Sequence, residues 1–355
     1  MPRFTFYCQN NPCMKNVLHV IVLLFSLITL KSYAQDPHFS QFFEAPLLRN
    51  PSLAGLFKGD IRFQMVYRNQ WQSISNPYQT GSINFEYKQP LGKRNDFITT
   101  GFQILYDKAG ITNFTTSNIY PALNFHKSLN DEKSKYLSLG IMGGYVQRSI
   151  DRSKITTNNQ FDGSGYNPAL SDGETLTKFS YHYWDGSIGL SFNSSIQGSE
   201  TDYYFIGVAY HHFNRPVNSF YVNPPVELNP KLVFSGGVNL SINEISFITL
   251  QGDFSQQGDY SETIGGITYS RKLGDDYTNP LYVIHLGGYL RWKDAFIPVI
   301  KLDYNPFSVA FSYDINISTL KTLSQYRGGF EISLTYAGFL DRNNSTKNAV
   351  LCPKF

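Results

Sequence analysis

The chain has 355 residues, with Lys+Arg 30 against Asp+Glu 27 and a formal net charge of +3. Arg3, Lys15 and Lys31 account for that surplus, because residues 1–34 hold no acid. The remainder is near neutral, and nothing in it points to a nucleic-acid partner.

Residues 1–34 read as a secretory leader. Lys15 precedes an apolar run, Val20 to Phe25, that continues through Leu27, Ile28 and Leu30, and Ser32-Tyr33-Ala34 places small residues at the usual −3 and −1 positions for cleavage after Ala34. Met14-Lys15-Asn16 opens an ordinary n-region, so Met14 fits as the start. The run is too short for a membrane helix, and no other stretch approaches the roughly 20 apolar residues one needs. A membrane location would therefore require a closed β-barrel, the other structure that satisfies every backbone group in lipid. Cys8 and Cys13 leave with the leader, so Cys352 stands alone and no internal disulfide framework is expected. No Cys follows the leader directly, which argues against a lipoprotein.

From Gln35 to Gly55 the chain reads Q-D-P-H-F-S-Q-F-F-E-A-P-L-L-R-N-P-S-L-A-G. Pro37, Pro46 and Pro51 exclude a long helix and a central strand. We expect an irregular N-terminal segment over 35–59, packed at a barrel mouth or lumen, since Phe39, Phe42, Phe43, Leu47 and Leu48 are costly to leave in water.

Beyond it, alternation takes over. From Phe307 to Ile317, Phe307, Val309, Phe311, Tyr313, Ile315 and Ile317 fall on one face of an extended strand, with Ser308, Ala310, Ser312, Asp314 and Asn316 on the other. A soluble half-buried strand shows the same alternation, but here it recurs along most of the chain. Lipid-facing and lumen-facing positions alternate in this way in barrel strands of about 9–11 residues. Strands are predicted at Ile61–Gln72, Tyr78–Gln89, Phe97–Tyr106, Phe114–Lys127, Tyr136–Arg148, Thr177–Phe192 and Tyr203–Phe213. Seven more follow at Lys231–Leu240, Ile245–Phe254, Ser261–Lys272, Leu281–Trp292, Phe296–Tyr304, Phe307–Ile317 and Tyr326–Tyr336. The expected fold is an all-β transmembrane antiparallel barrel of about fourteen strands over 60–337, with a periplasmic tail over 338–355. The 25 Tyr and 28 Phe suit interfacial girdles, and the 28 Gly suit strand curvature. The two longest gaps, Ser149–Leu176 and Asn214–Pro230, follow odd strands and so fall on the outward side of a barrel with both chain ends periplasmic. Most even-strand turns are short, although Leu273–Pro280 is longer than that rule prefers.

Chemical motifs are few. There is no H-E-x-x-H, phosphate loop or G-x-S-x-G elbow, and no cofactor is implied. His211 and His212, adjacent on a strand, are expected to face opposite ways and so not to share a metal. Asp162-Gly163-Ser164-Gly165 reads as turn chemistry. A hydrolase would need a Ser, a His and an acid converging at one level; the sequence singles out none.

Several stretches together resemble the PorP/SprF membrane proteins of the type IX secretion system of Bacteroidetes. They are Q-D-P-H-F-S-Q-F (Gln35–Phe42), N-P-S-L-A-G (Asn50–Gly55), Y-R-N-Q-W (Tyr67–Trp71), D-K-A-G (Asp107–Gly110), G-Y-V-Q-R-S-I-D (Gly144–Asp151), H-H-F-N-R-P (His211–Pro216), F-S-Y-D (Phe311–Asp314), G-G-F-E-I-S-L (Gly328–Leu334) and C-P-K-F (Cys352–Phe355). The resemblance implies a non-enzymatic outer-membrane barrel that supports secretion or surface anchoring of adhesins and gliding-type proteins through their C-terminal secretion domain. Machinery lipoproteins and outer-membrane lipids are the other partners it implies. The candidate partner-binding residues are Phe39, Phe42, Phe43, Tyr67, Arg68, Asn69, Gln70 and Trp71, because aromatics and Arg dominate interface energetics. The competing reading is that Arg68 and Asn69 only order the barrel's own N-terminal segment. The rival function is a channel for hydrophobic or small solutes.

Overall fold

The computed structural model describes residues 36–341, apart from 73–75, 93–94, 131–133, 174–177, 200 and 222–225. The expected leader, Cys352 and the tail from residue 342 lie outside the described residues.

Fourteen strands form one closed antiparallel barrel, each paired with its neighbours in sequence and the first with the last. They are β1 (Ile61–Gln70), β2 (Tyr78–Leu91), β3 (Asp96–Ala109), β4 (Phe114–Ser128), β5 (Lys135–Ser149), β6 (Ser180–Ser195) and β7 (Tyr203–His211). The second half comprises β8 (Lys231–Ser241), β9 (Ser246–Gln257), β10 (Tyr260–Leu273), β11 (Tyr282–Arg291), β12 (Ala295–Tyr304), β13 (Phe307–Asn316) and β14 (Arg327–Gly338). Closure runs in unbroken register from Ile61↔Gly338 to Gln70↔Gly329.

Burial follows the two-residue period and is inverted relative to a soluble sandwich. On β5, Leu137, Leu139, Ile141 and Tyr145 are exposed, whereas Tyr136, Ser138, Met142 and Val146 are buried. The buried set is largely polar elsewhere, as with Asn84 and Glu86 on β2 and Ser312 and Asp314 on β13. Apolar side chains therefore meet lipid, while the lumen is polar. Connections after odd strands lie together at one end, the loop end, which carries residues 150–173, 178–179, 212–221 and 226–230. Turns after even strands lie at the other.

The segment preceding β1 is built of three short turns, Phe42–Glu44, Pro46–Arg49 and Pro51–Leu53. Pro46 and Pro51 each occupy a first helical position, where the absent N–H is no loss. The prolines thus start turns as well as excluding a long helix. Asp60 closes the approach to β1 at the turn end: its N–H donates to Gly338 O (2.8 Å) and its carbonyl accepts from Lys88 N (2.7 Å).

Candidate functional site

The residues from Asp36 to Phe57 run inside the barrel from the loop end to the turn end, bonded in tiers to lumen-facing side chains. At the top, the Asp36 N–H donates to Gln257 Oε1 at the end of β9 (3.1 Å), and the Asp36 carboxylate accepts from His212 Nε2 just beyond β7 (2.7 Å). The other His212 nitrogen donates to Asp185 Oδ2 (2.7 Å), which also accepts from Tyr120 (2.8 Å). Burial alone would depress His212, but the Asp36 charge and the hydrogen bonds to Asp185 and Asp36 outweigh it and hold the imidazole up at about 9.

The next tier is a buried ion network. Glu331 accepts from the N–H groups of Ser40 (2.6 Å) and Gln41 (2.7 Å), and Ser40 Oγ donates to Asp314 (2.6 Å). Arg68 bridges the two acids, at 2.9 Å from Asp314 and 3.1 Å from Glu331, and also donates to the His38 carbonyl. Arg291 reaches Asp314 from the far side (3.1 Å) and donates to Ser40 Oγ. Lower down, Glu44 meets Lys301 (2.7 Å) and accepts from Gln64 and Thr335. Arg49 forks onto Asp253 at 2.8 and 2.6 Å.

At the bottom, the segment's backbone meets the wall directly. Asn124 donates to the carbonyls of Ser52 (2.6 Å) and Ala54 (2.8 Å), Gly55 N donates to Glu86 (2.7 Å), and Lys88 donates to Phe57 O (2.6 Å). Gly140 on β5 makes the approach possible, since a Cβ there would lie 2.4 Å from Pro51 C. Apolar side chains fill the gaps between tiers. Phe42 and Phe43 pack on Tyr289, Phe39 on Val66 and Leu105, and Leu53 and Leu56 on Phe205. Taken over its length, the segment is bonded to strands on all sides of the barrel, among them β1, β2, β4, β6, β7, β9 and β11 to β14, so it occupies the lumen. A cavity of about 60 Å³ remains near the loop end.

The candidate residues are thereby separated. Phe39, Phe42 and Arg68 are buried in the lumen, and Phe43 is half-buried against Tyr289. Tyr67 is exposed on the outer wall beside Phe330 of β14. Asn69 and Gln70 are half-buried at the end of β1, and Trp71, at φ 56°, packs edge-on against Tyr78 with centroids 4.8 Å apart. Arg68 and the three phenylalanines share one inner network, while Tyr67 and Trp71 do not join it.

Sequence reasoning missed most of the charged partners, namely Glu44, Glu86, Asp253, Lys301, Asp314 and Glu331. For all but Glu44, which sits on the aperiodic segment, the signal was a charge at an inward position of an alternating strand, as in N-F-E-Y or S-Y-D-I. The expectation for His211 and His212 is corrected. β7 ends at His211, and His212 adopts φ 57°, so both rings turn inward with centroids 6.3 Å apart. His211 is bonded to Ser187 and Arg49 O, and His212 to its two acids, so all four ring nitrogens are engaged. No group of three or more metal-ligating side chains occurs among the described residues. Asp162 does shape a turn, accepting from Ser164 N and Gly165 N.

One Ser-His-acid trio does converge. Ser270 Oγ lies 2.7 Å from His285 Nδ1, and His285 Nε2 lies 3.0 Å from Asp303. Ser270 is fully buried, and the trio ties β10, β11 and β12 together.

The stretches that first drew attention as motifs meet in these tiers: Asp36, Ser40 and Gln41 from the first, Asn50 to Gly55 from the second, then Arg68, His212, Asp314 and Glu331. The family model described as "Type IX secretion system membrane protein PorP/SprF" matches residues 31–336. The chain belongs to the PorP/SprF family. It is a membrane component of the type IX secretion system and, as a closed barrel with an apolar exterior, resides in the outer membrane. No curated protein matches it by sequence. Among solved structures, the toluene transporter TbuX of Ralstonia pickettii is similar at 11% identity and TM-score 0.49, covering 82% of this chain and 92% of that one. A FadL homologue of Pseudomonas aeruginosa is similar at 9% identity and TM-score 0.46, covering 81% and 92%. BamA of Haemophilus ducreyi shows 10% identity and TM-score 0.39, covering 79% and 70%. Likeness at this level carries no argument about transport.

Proposed function

We propose that this PorP/SprF barrel is a non-enzymatic scaffold supporting secretion or surface anchoring of large cell-surface proteins, adhesin-like or gliding-type, through their C-terminal secretion domain. Machinery lipoproteins are its further partners and outer-membrane lipids its surroundings. The observation that carries the reading is the occupied lumen. A barrel filled along its length by its own bonded segment offers loops and rim to a partner rather than a path to a solute. The loop end also bears exposed apolar side chains beyond the strands, including Phe161, Tyr166, Phe213, Leu323 and Tyr326. Aromatics of this kind anchor protein interfaces, and Trp71 belongs to the same end.

Gentle detergent extraction from native membranes, followed by mass spectrometry of co-purifying proteins, tests this. A large secreted protein recovered through its C-terminal domain, with lipoproteins, is the expected result. Recovery of the barrel alone under conditions that preserve known type IX complexes would turn the reading toward a solute channel.

A further inference from the structure

The cavity left at the loop end has an unbalanced lining. Two carboxylates border it, Asp36 and Asp185, and both are committed to His212, which donates from each ring nitrogen and is therefore an imidazolium. Arg148, from the end of β5, and Lys231, from the start of β8, border the same space. Neither makes an ion pair among the described residues. Arg148 Nε is buried without a hydrogen-bond partner, and its guanidinium lies 5.9 Å over the Tyr183 ring. Asp107, whose carboxylate accepts from Thr80, stands outside the lining. Three cations thus face two acids, and a buried donor waits for an acceptor. Asp36 attracts both cations at longer range and Tyr181 bonds Arg148, but a carboxylate already shared with His212 does not neutralise them, and a monovalent anion removes the remaining cost.

Size restricts the anion. A space of about 60 Å³ is small and suits a group the size of a carboxylate. Leu48, Met142 and Val146 supply an apolar wall for the atom carrying the acid. We propose that this cavity seats one carboxylate, the C-terminal carboxylate of a polypeptide held by the barrel, between Lys231 and Arg148. The proposal rests on the reading that the barrel holds a secreted polypeptide. A chain terminus suits the site because it brings an acid on a narrow stem, whereas an interior Asp or Glu would bring main chain on both sides.

Isothermal titration of the purified full-length protein in detergent tests it without first mutating anything. The probes are the tripeptide Gly-Gly-Ala as free acid, the same tripeptide as C-terminal amide, and acetate, all at matched ionic strength. The free acid should bind and the amide should not. Lys231→Gln and Arg148→Gln, each checked for heat-modifiable migration as a sign of an assembled barrel, should each weaken the acid at least about tenfold, the loss expected for a charge-assisted hydrogen bond. Equal binding of acid and amide, or none of either, overturns the proposal. Acetate binding without tripeptide binding overturns the polypeptide assignment, because the seat then serves small free acids. A barrel that co-purifies with its secreted partner yet ignores the free acid defeats this inference alone; the converse defeats only the functional reading.

Discussion

Arg68 is the member of the inner network whose removal is most informative. Its side chain is 2% exposed, and its partners Asp314 and Glu331 are 3% and 1% exposed. Replacing it with Met keeps the stem and deletes the charge. Asp314 would retain Arg291 and Ser40 Oγ, and Glu331 would retain the two N–H groups of Ser40 and Gln41, leaving one buried negative charge uncompensated. Breaking a buried pair in this way costs about 3–5 kcal/mol. Adding Glu331→Gln removes the orphan charge while its carbonyl can still accept from the segment, so the double variant should recover more than half of the loss. Urea unfolding in lipid vesicles, read by heat-modifiable migration, provides the free energies for the double-mutant cycle. A single variant as stable as wild type, or a double variant no better than the single, would refute the network. If the network holds, loss of surface display in Arg68→Ala is traced to a loosened segment rather than to a lost partner contact.

Three further outcomes follow from the same geometry. Trp71→Ala, outside the lumen network, should reduce surface display while heat-modifiable migration stays at the wild-type position; unchanged display would remove Trp71 from the partner surface. Gly140→Val would drive side-chain atoms into the Pro51–Ser52 backbone and dislodge the segment, so trypsin should cut at the now-buried Arg49 in the variant and spare it in wild type, as read by mass spectrometry. His212 is held up to about 9 from an ordinary 6.5, so its contribution is whole below about pH 6.5 and is lost as pH rises through about 9. The loss is about 3 kcal/mol. His212→Gln should flatten the fall in stability between pH 7 and 10, and an equally steep fall in the variant would assign it to other groups.

The strands were legible because each wall residue is either lipid-facing or lumen-facing, and that choice alternates over about ten residues. Phe307 to Asn316 shows it most cleanly, and all fourteen strands lie close to where alternation places them. Ends were less clear. β6 begins at Ser180, and its expected start, Thr177, lies outside the described residues. The inner network was hidden for a different reason. Glu331 and Arg68 are in register across β1 and β14, but their partners Ser40 and Gln41 sit on a segment without period, so nothing in the sequence says which wall it meets. His212 was misjudged because alternation was extended one residue past the end of β7, where a positive φ reverses the direction of its side chain.

The occupied lumen is the central claim, and single-channel recording tests it most directly. Purified full-length protein reconstituted in planar bilayers should insert and give no steady conductance steps, because the tiers from Asp36 to Phe57 close the barrel along its length. Persistent, voltage-independent steps of uniform size from the wild-type protein would contradict that claim and return the barrel to the class of open channels.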